Sequence, residues 1–148
     1  MILQKIGVKR EDCWITDLVK VFLFKEGHIK RYEKLGRKDM VSNRNKFMEY
    51  AKLSLPFLYD EIEICNPYVI ILLGQEVVQA FFQISAAKAL GYLDGTVKKF
   101  EVKGMERNII CLPHPGILMK KTERNPWPGR FEGEIAITAS LENHKLKT

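Results

Sequence analysis

Asp60-Glu61-Ile62-Glu63-Ile64-Cys65-Asn66-Pro67-Tyr68-Val69-Ile70-Ile71-Leu72-Leu73-Gly74 is the stretch that decides the fold. Its first half closes a helix, because Phe47, Ala51, Ser54, Leu58, Ile62 and Cys65 recur at spacings of three and four and share one stripe. Pro56, inside that stripe, predicts a kink or a break into two helices. Asn66-Pro67 stops it, since the residue before a proline is driven out of the helical region. Residues 68–73 are then continuously apolar, the pattern of a parallel strand covered on both faces. Gly74 leads into residues 75–83, whose Val77, Val78, Phe81 and Phe82 suit a short packed helix.

Downstream, residues 96–102 alternate and read as an edge strand or a hairpin arm. Residues 108–112 form a second buried strand, broken by Pro113. Phe131, Ile135, Ala139 and Glu142 permit a terminal helix over about residues 129–146. Upstream, residues 1–6 read as the last turns of a helix closed by Gly7. Residues 13–19, Cys-Trp-Ile-Thr-Asp-Leu-Val, are β-branched and apolar enough for a strand, and residues 24–43 read as a charged loop with one short helix. Strands alternating with helices imply an α/β fold with a parallel sheet and right-handed crossovers. Ligands of such sheets bind beyond the carboxyl ends of the strands, which puts the segments after Ile15, Leu73 and Cys111 at one rim. No repeat or linker divides the chain, so residues 1–148 read as a single domain.

Hydrophobic residues make up 46% of the 148 and charged residues 28%, an ordinary globular mixture. The net charge of +6 fits a polyanion partner and equally a merely basic soluble protein. No apolar run approaches the roughly 20 residues of a bilayer span. Gln4-Lys5 directly after Met1-Ile2-Leu3 leaves no signal-peptide core, so the expected location is the cytoplasm, with no membrane partner. Cys13, Cys65 and Cys111 are widely spaced, without a CxxC pair, and are expected to be buried free thiols rather than a zinc site or disulfides. His28, His114 and His144 lack ligand spacing, and GxxxxGK[ST], GxGxxG and GxSxG are all absent, so neither a metal, a phosphate-binding loop nor a nucleophilic triad is indicated.

Three segments can carry chemistry. His114 follows the second buried strand between Pro113 and Pro115, whose restricted backbones hold the imidazole in place. It can donate to a bound carbonyl or stabilise charge on a leaving group, or else be satisfied within its own loop. Asp17, in Trp14-Ile15-Thr16-Asp17-Leu18-Val19-Lys20, would be a mostly buried carboxylate that either pairs with Lys20 or faces a polar pocket. Ile117 and Leu118, followed by Lys120, Lys121 and Arg124, suit an apolar wedge between bases flanked by phosphate contacts, or simply a solvated charged loop.

Taken in order, these segments resemble the uracil-DNA glycosylase superfamily, in particular its bacterial and archaeal iron–sulfur branch. Trp14-Ile15-Thr16-Asp17-Leu18-Val19-Lys20-Val21 is similar to that branch's Tyr-Ile-Thr-Asn-Val-Val-Lys-Cys strand. Residues 60–74 match its helix with an acidic pair, Asn-Pro and an apolar strand ending in Leu-Gly, and His114-Pro115-Gly116 resembles its His-Pro motif. The correspondence covers about residues 1–135. It implies a three-layer α/β/α fold around a four-stranded parallel sheet, DNA as partner, and a nucleotide flipped into a pocket at the strand ends. His114 would contact the base carbonyl and support the departing base, Thr16 and Asp17 would lie at the base edge, and Ile117 and Leu118 would fill the gap in the stack.

The sequence departs from that pattern in three places. The family's first strand and its Gly-Glu-x-Pro-Gly loop, which positions the attacking water, should precede the helix ending at Gly7, so an N-terminal strand is expected to be missing and activity to be weak or lost. A sheet without that strand would offer an open edge, allowing a homodimer. Asp17 stands where the family has Asn; a carboxylate only accepts hydrogen bonds, so a donor-rich base edge, or no base recognition, is expected instead of uracil. Val21 and Ser54 replace two cluster cysteines, so no iron–sulfur cofactor is expected. The rival classes are a non-catalytic nucleic-acid-binding or assembly module of the same fold and a small-molecule nucleotide-binding α/β domain.

Overall fold

A computed structural model describes residues 2–148. Its elements are α1 (Ile2–Lys5), α2 (Glu26–Lys34), α3 (Phe47–Cys65), β1 (Ile70–Leu73), α4 (Gln75–Phe82), α5 (Ala86–Gly91), β2 (Val97–Val102), β3 (Met105–Leu112), α6 (Pro115–Leu118), α7 (Trp127–Arg130) and α8 (Ala136–Lys147). A π-helical turn, Phe131–Ile135, joins α7 to α8 in one helical run. The sheet has three strands in the order β1-β3-β2. β1 runs parallel to β3, with Ile70 opposite Ile109 and Leu73 opposite Leu112. β2 is antiparallel to β3, so the sheet is mixed rather than wholly parallel. The α/β character read from the sequence holds, and residues 96–102 take the hairpin-arm alternative.

That hairpin turns on two residues, Lys103 and Gly104, both at positive φ (49° and 77°). Such a turn matches the twist of paired strands, and glycine enters it at no steric cost. β3 is therefore central, and its residues 109–112 are essentially inaccessible. Alternation sends Ile109, Cys111 and Leu72 to one face, against Ala51, Leu55 and Leu58 of α3 and Val78 and Phe81 of α4. Ile110 and Leu112 go to the other, against Ile6, Phe131, Ile135 and Ala139. Two cores on opposite faces of one sheet make three layers.

The second layer is tied at the chain's two ends. Asn143 of α8, almost fully buried, donates from Nδ2 to the Ile6 carbonyl at 3.1 Å and accepts from the Tyr68 hydroxyl at 3.0 Å. Gly7 takes φ +69° behind α1, the left-handed turn expected there. Met1 of the predicted helix lies outside the described residues.

Three expectations change. Pro56 does not break α3, which runs from Phe47 to Cys65 with Pro56 on its exposed face. Residues 13–19 form no strand: residues 13–17 have no regular structure, the backbone bends at Leu18 and Val19, and Trp14 and Ile15 are exposed. Their composition suits a strand, but β structure exists only against a partner, and residues 14–19 have no backbone–backbone hydrogen bond among those of the loops and turns. Of the thiols only Cys111 is buried, and burial pushes its pKa up to about 12, which makes it inert; Cys65 is exposed and Cys13 intermediate.

Candidate active site and nucleic-acid interface

β1 and β3 end side by side, and the Gly74 N–H donates to the Leu112 carbonyl at 2.8 Å, extending the ladder by one bond. His114 therefore emerges at the carboxyl rim of the sheet, exposed, two residues past the buried end of β3. Its Nδ1 accepts from the Gly116 N–H at 2.9 Å, capping α6. A nitrogen that accepts carries no proton, so the neutral ring bears its proton on Nε2. That N–H is the donor the site presents.

Two glycines make room for the ring. A Cβ on Gly74, at φ +100°, would stand 3.1 Å from the His114 Cβ, and a Cβ on Gly116 would stand 3.0 Å from Nδ1. Gly74 also precedes α4, whose N-terminus has no side-chain cap. An uncapped helix N-terminus carries free backbone N–H groups, and these favour negative charge near it. Neither glycine was singled out for this role from the sequence; Leu-Gly after an apolar strand and His-Pro-Gly are the signals that mark them.

The loop after His114 is ordered by Asn125, whose Nδ2 donates to the carbonyls of Ile117 and Lys120 at 2.7 and 2.6 Å. Asn125 is a positioning residue that sequence reasoning missed. Ile117 is exposed, but Leu118 packs inward on the second core, so the apolar tip of this loop is Ile117 with Met119. Lys120, Lys121 and Arg124 are all exposed beside it and form no ion pair among the described residues.

Asp17 and Thr16 are placed differently from the expectation. Asp17 is exposed, not buried, and makes no hydrogen bond or ion pair among the described residues; Lys20 turns instead to the Thr16 hydroxyl at 2.7 Å and to Glu61 at 2.8 Å. No polar contact links either residue to His114. The Lys20 ammonium holds the Glu61 carboxyl below the usual range, partly against the effect of burial. A depressed carboxyl contributes stability that is present above its unfolded pKa and is lost as pH falls through its folded one. Both side chains are partly exposed, so the effect is small: Lys20→Met should cost less than about 1 kcal/mol at neutral pH and nothing once Glu61 is protonated. Urea titrations of both proteins across the carboxylate range check this; an equal deficit at both ends of the range would contradict it.

Neither of two concavities in the structure includes His114. One of about 330 Å³ lies at the opposite end of the sheet among Asn66, Tyr68 and Arg107; the other, of about 290 Å³, lies under the loop among Leu118, Asn125 and Phe131. His114 itself stands on an open rim. The cysteines do not fit an iron–sulfur cluster: Cys13 donates to the Lys9 carbonyl, Cys65 ends α3, Cys111 is inside the sheet, and Ser54 is spent accepting from the Lys20 N–H. No group of three or more His, Cys, Asp or Glu among the described residues is placed to hold a metal.

A family model described as the uracil DNA glycosylase superfamily matches residues 1–131. The chain belongs to that superfamily. A type-4 uracil-DNA glycosylase of Pyrobaculum aerophilum is 25% identical to it over 137 residues, which cover 91% of this chain and 60% of that protein. The chain thus spans about 60% of the length of this curated relative. Among the described residues no helix is long and apolar enough to cross a membrane.

Proposed function

We propose that this uracil-DNA glycosylase superfamily member acts on DNA by hydrolysing the N-glycosidic bond of a flipped base, with His114 as the catalytic residue. One observation carries the reading: Nδ1 of His114 is occupied by the Gly116 N–H, so Nε2–H is left to meet a base carbonyl at the sheet's rim. When the bond to C1′ breaks, its electron pair stays on the base and a donor at the carbonyl oxygen spreads and stabilises that charge; water adds its oxygen to C1′, and the proton it releases ends on the departed base. The free N–H groups of α4 add to the same field. Ile117 and Met119 would enter the stack vacated by the base, with Lys120, Lys121 and Arg124 on the flanking phosphates.

The exposed Asp17 supports selection of a base edge with N–H donors, because an ionised carboxylate repels the O4 of uracil. Oligonucleotides carrying uracil, hypoxanthine or xanthine, scored for alkali-labile sites, test this. We expect xanthine or hypoxanthine to be cut faster than uracil, and Asp17→Asn to shift the order toward uracil. Strong excision of uracil by the unaltered protein would refute the assignment of Asp17. The open rim around His114 favours a second reading, a non-catalytic nucleic-acid-binding module of the same fold; absence of excision from every substrate with DNA binding intact would establish it.

A further inference from the structure

Residues 20–46 hold nine lysines and arginines against three acidic residues, an excess of six that equals the net charge of the entire chain. The rest of the molecule is electrically balanced. This segment contributes one side chain to the interior, Ile29. Its base is nonetheless pinned. Asn43 Oδ1 accepts from the Phe24 N–H at 2.6 Å, and the Phe24 carbonyl accepts from the N–H groups of Asn43 and Arg44 and from the Ser42 hydroxyl. The result is an ordered arm carrying α2, not a loose loop.

Two features of the arm are costly in a free protein. Three of its cations are neutralised, Lys20 by Glu61, Arg37 by Asp39 and Arg44 by Glu76. Lys25, Lys30, Arg31, Lys34, Lys38 and Lys46 have no carboxylate within ion-pair distance among the described residues, and Lys30 and Lys34 repel across one turn of α2. The same arm also holds an aromatic group left in solvent. Phe22 meets Phe24 with ring centroids 4.8 Å apart and His28 at 5.6 Å, and Phe24 meets Tyr32 at 6.0 Å. Phe22 is 66% exposed.

Cations that track a phosphate backbone, with π-faces for bases to stack on, are the chemistry of single-strand recognition. A duplex would use the cations and leave the rings unused. A membrane would need an apolar stripe on α2, but the one aliphatic residue there, Ile29, is buried in the protein. We propose that residues 20–46 form a second nucleic-acid contact that binds unpaired DNA, with Phe22 as the stacking platform and Lys30, Arg31 and Lys34 on the phosphates. It rests on the reading of DNA as the partner but does not require base excision.

The experiment is fluorescence anisotropy of the whole protein with an undamaged 20-nucleotide thymidine strand and a 20-base-pair duplex, between 50 and 200 mM salt. Replacing Lys30, Arg31 and Lys34 together by Gln should flatten the slope of log affinity against log salt by about 2 on the single strand. Phe22→Ala, and Phe22→Leu, which keeps the apolar contact with Phe24, should each weaken single-strand binding at least about five-fold while leaving the duplex unchanged. Lys99→Gln, an exposed cation on β2, should change neither. The proposal is overturned if the triple variant keeps the wild-type slope, if the Phe22 variants bind the strand normally, or if the arm prefers duplex or phosphatidylserine vesicles. Excision by the triple variant at wild-type rate and affinity would defeat the arm alone. Single-strand binding through the arm without any excision would defeat the glycosylase reading alone.

Discussion

Replacing His114 by alanine should lower base excision by about 10²–10³-fold, the cost of losing one preorganised donor to a developing anion. The fold should survive, because the side chain is exposed and the strand beneath it is independently buried. The one structural loss is the cap to the Gly116 N–H, worth about 1 kcal/mol on a four-residue helix. His114→Asn separates the two roles: its amide oxygen can still accept from Gly116, while the Nε2–H is gone. Single-turnover excision on the best substrate, with thermal melting alongside, reads both. If either variant excises within about three-fold of wild type, His114 does not stabilise the leaving base.

Gly95→Ala should be the most damaging small substitution in the molecule. A Cβ there would sit 2.5 Å from the Ile135 carbonyl oxygen and 3.1 Å from the Ala139 nitrogen, both backbone atoms of the terminal helical run, at a φ of +79°. Backbone cannot swing aside as a side chain can, so the sheet and the helical layer must separate. We expect a loss of about 3–5 kcal/mol, a large share of the stability of any domain. Gly104→Ala is the control, at nearly the same φ (+77°) but with nothing within 4 Å, and should cost only about 1–2 kcal/mol. Urea midpoints compare them; equal losses would show that strain in φ, and not the close approach, governs Gly95.

What could be read in advance follows from what is local. β1, α3 and α4 were legible because burial on one or both faces writes itself into a short window: an apolar run ended by Gly74, a stripe ended by Asn66-Pro67. The segment at residues 13–19 was not, because pairing is a property of two segments and its composition describes only one. Asp17 went with it, since a strand would have buried it and an unpaired stretch exposes it. His114 was legible from its prolines and its strand, but the reason it is held there lies in Gly74, forty residues away, and that contact exists only once β1 and β3 lie side by side. Lys103-Gly104, the two-residue link that makes residues 97–112 a hairpin, was not singled out from the sequence.

The Asn143 tie has a consequence in time. Ile6 is wholly enclosed, yet what encloses it belongs to the final helical run, and the carbonyl of Ile6 is bonded to a residue 137 positions later. A ribosome making this chain therefore delivers α1 well before its lid. Until α8 emerges, the first helix must wait with its apolar side uncovered, and that face of the sheet cannot close. The layer built by α3, α4 and α5 draws on residues that are complete far earlier, so during synthesis one side of the protein is finished while the other is still open.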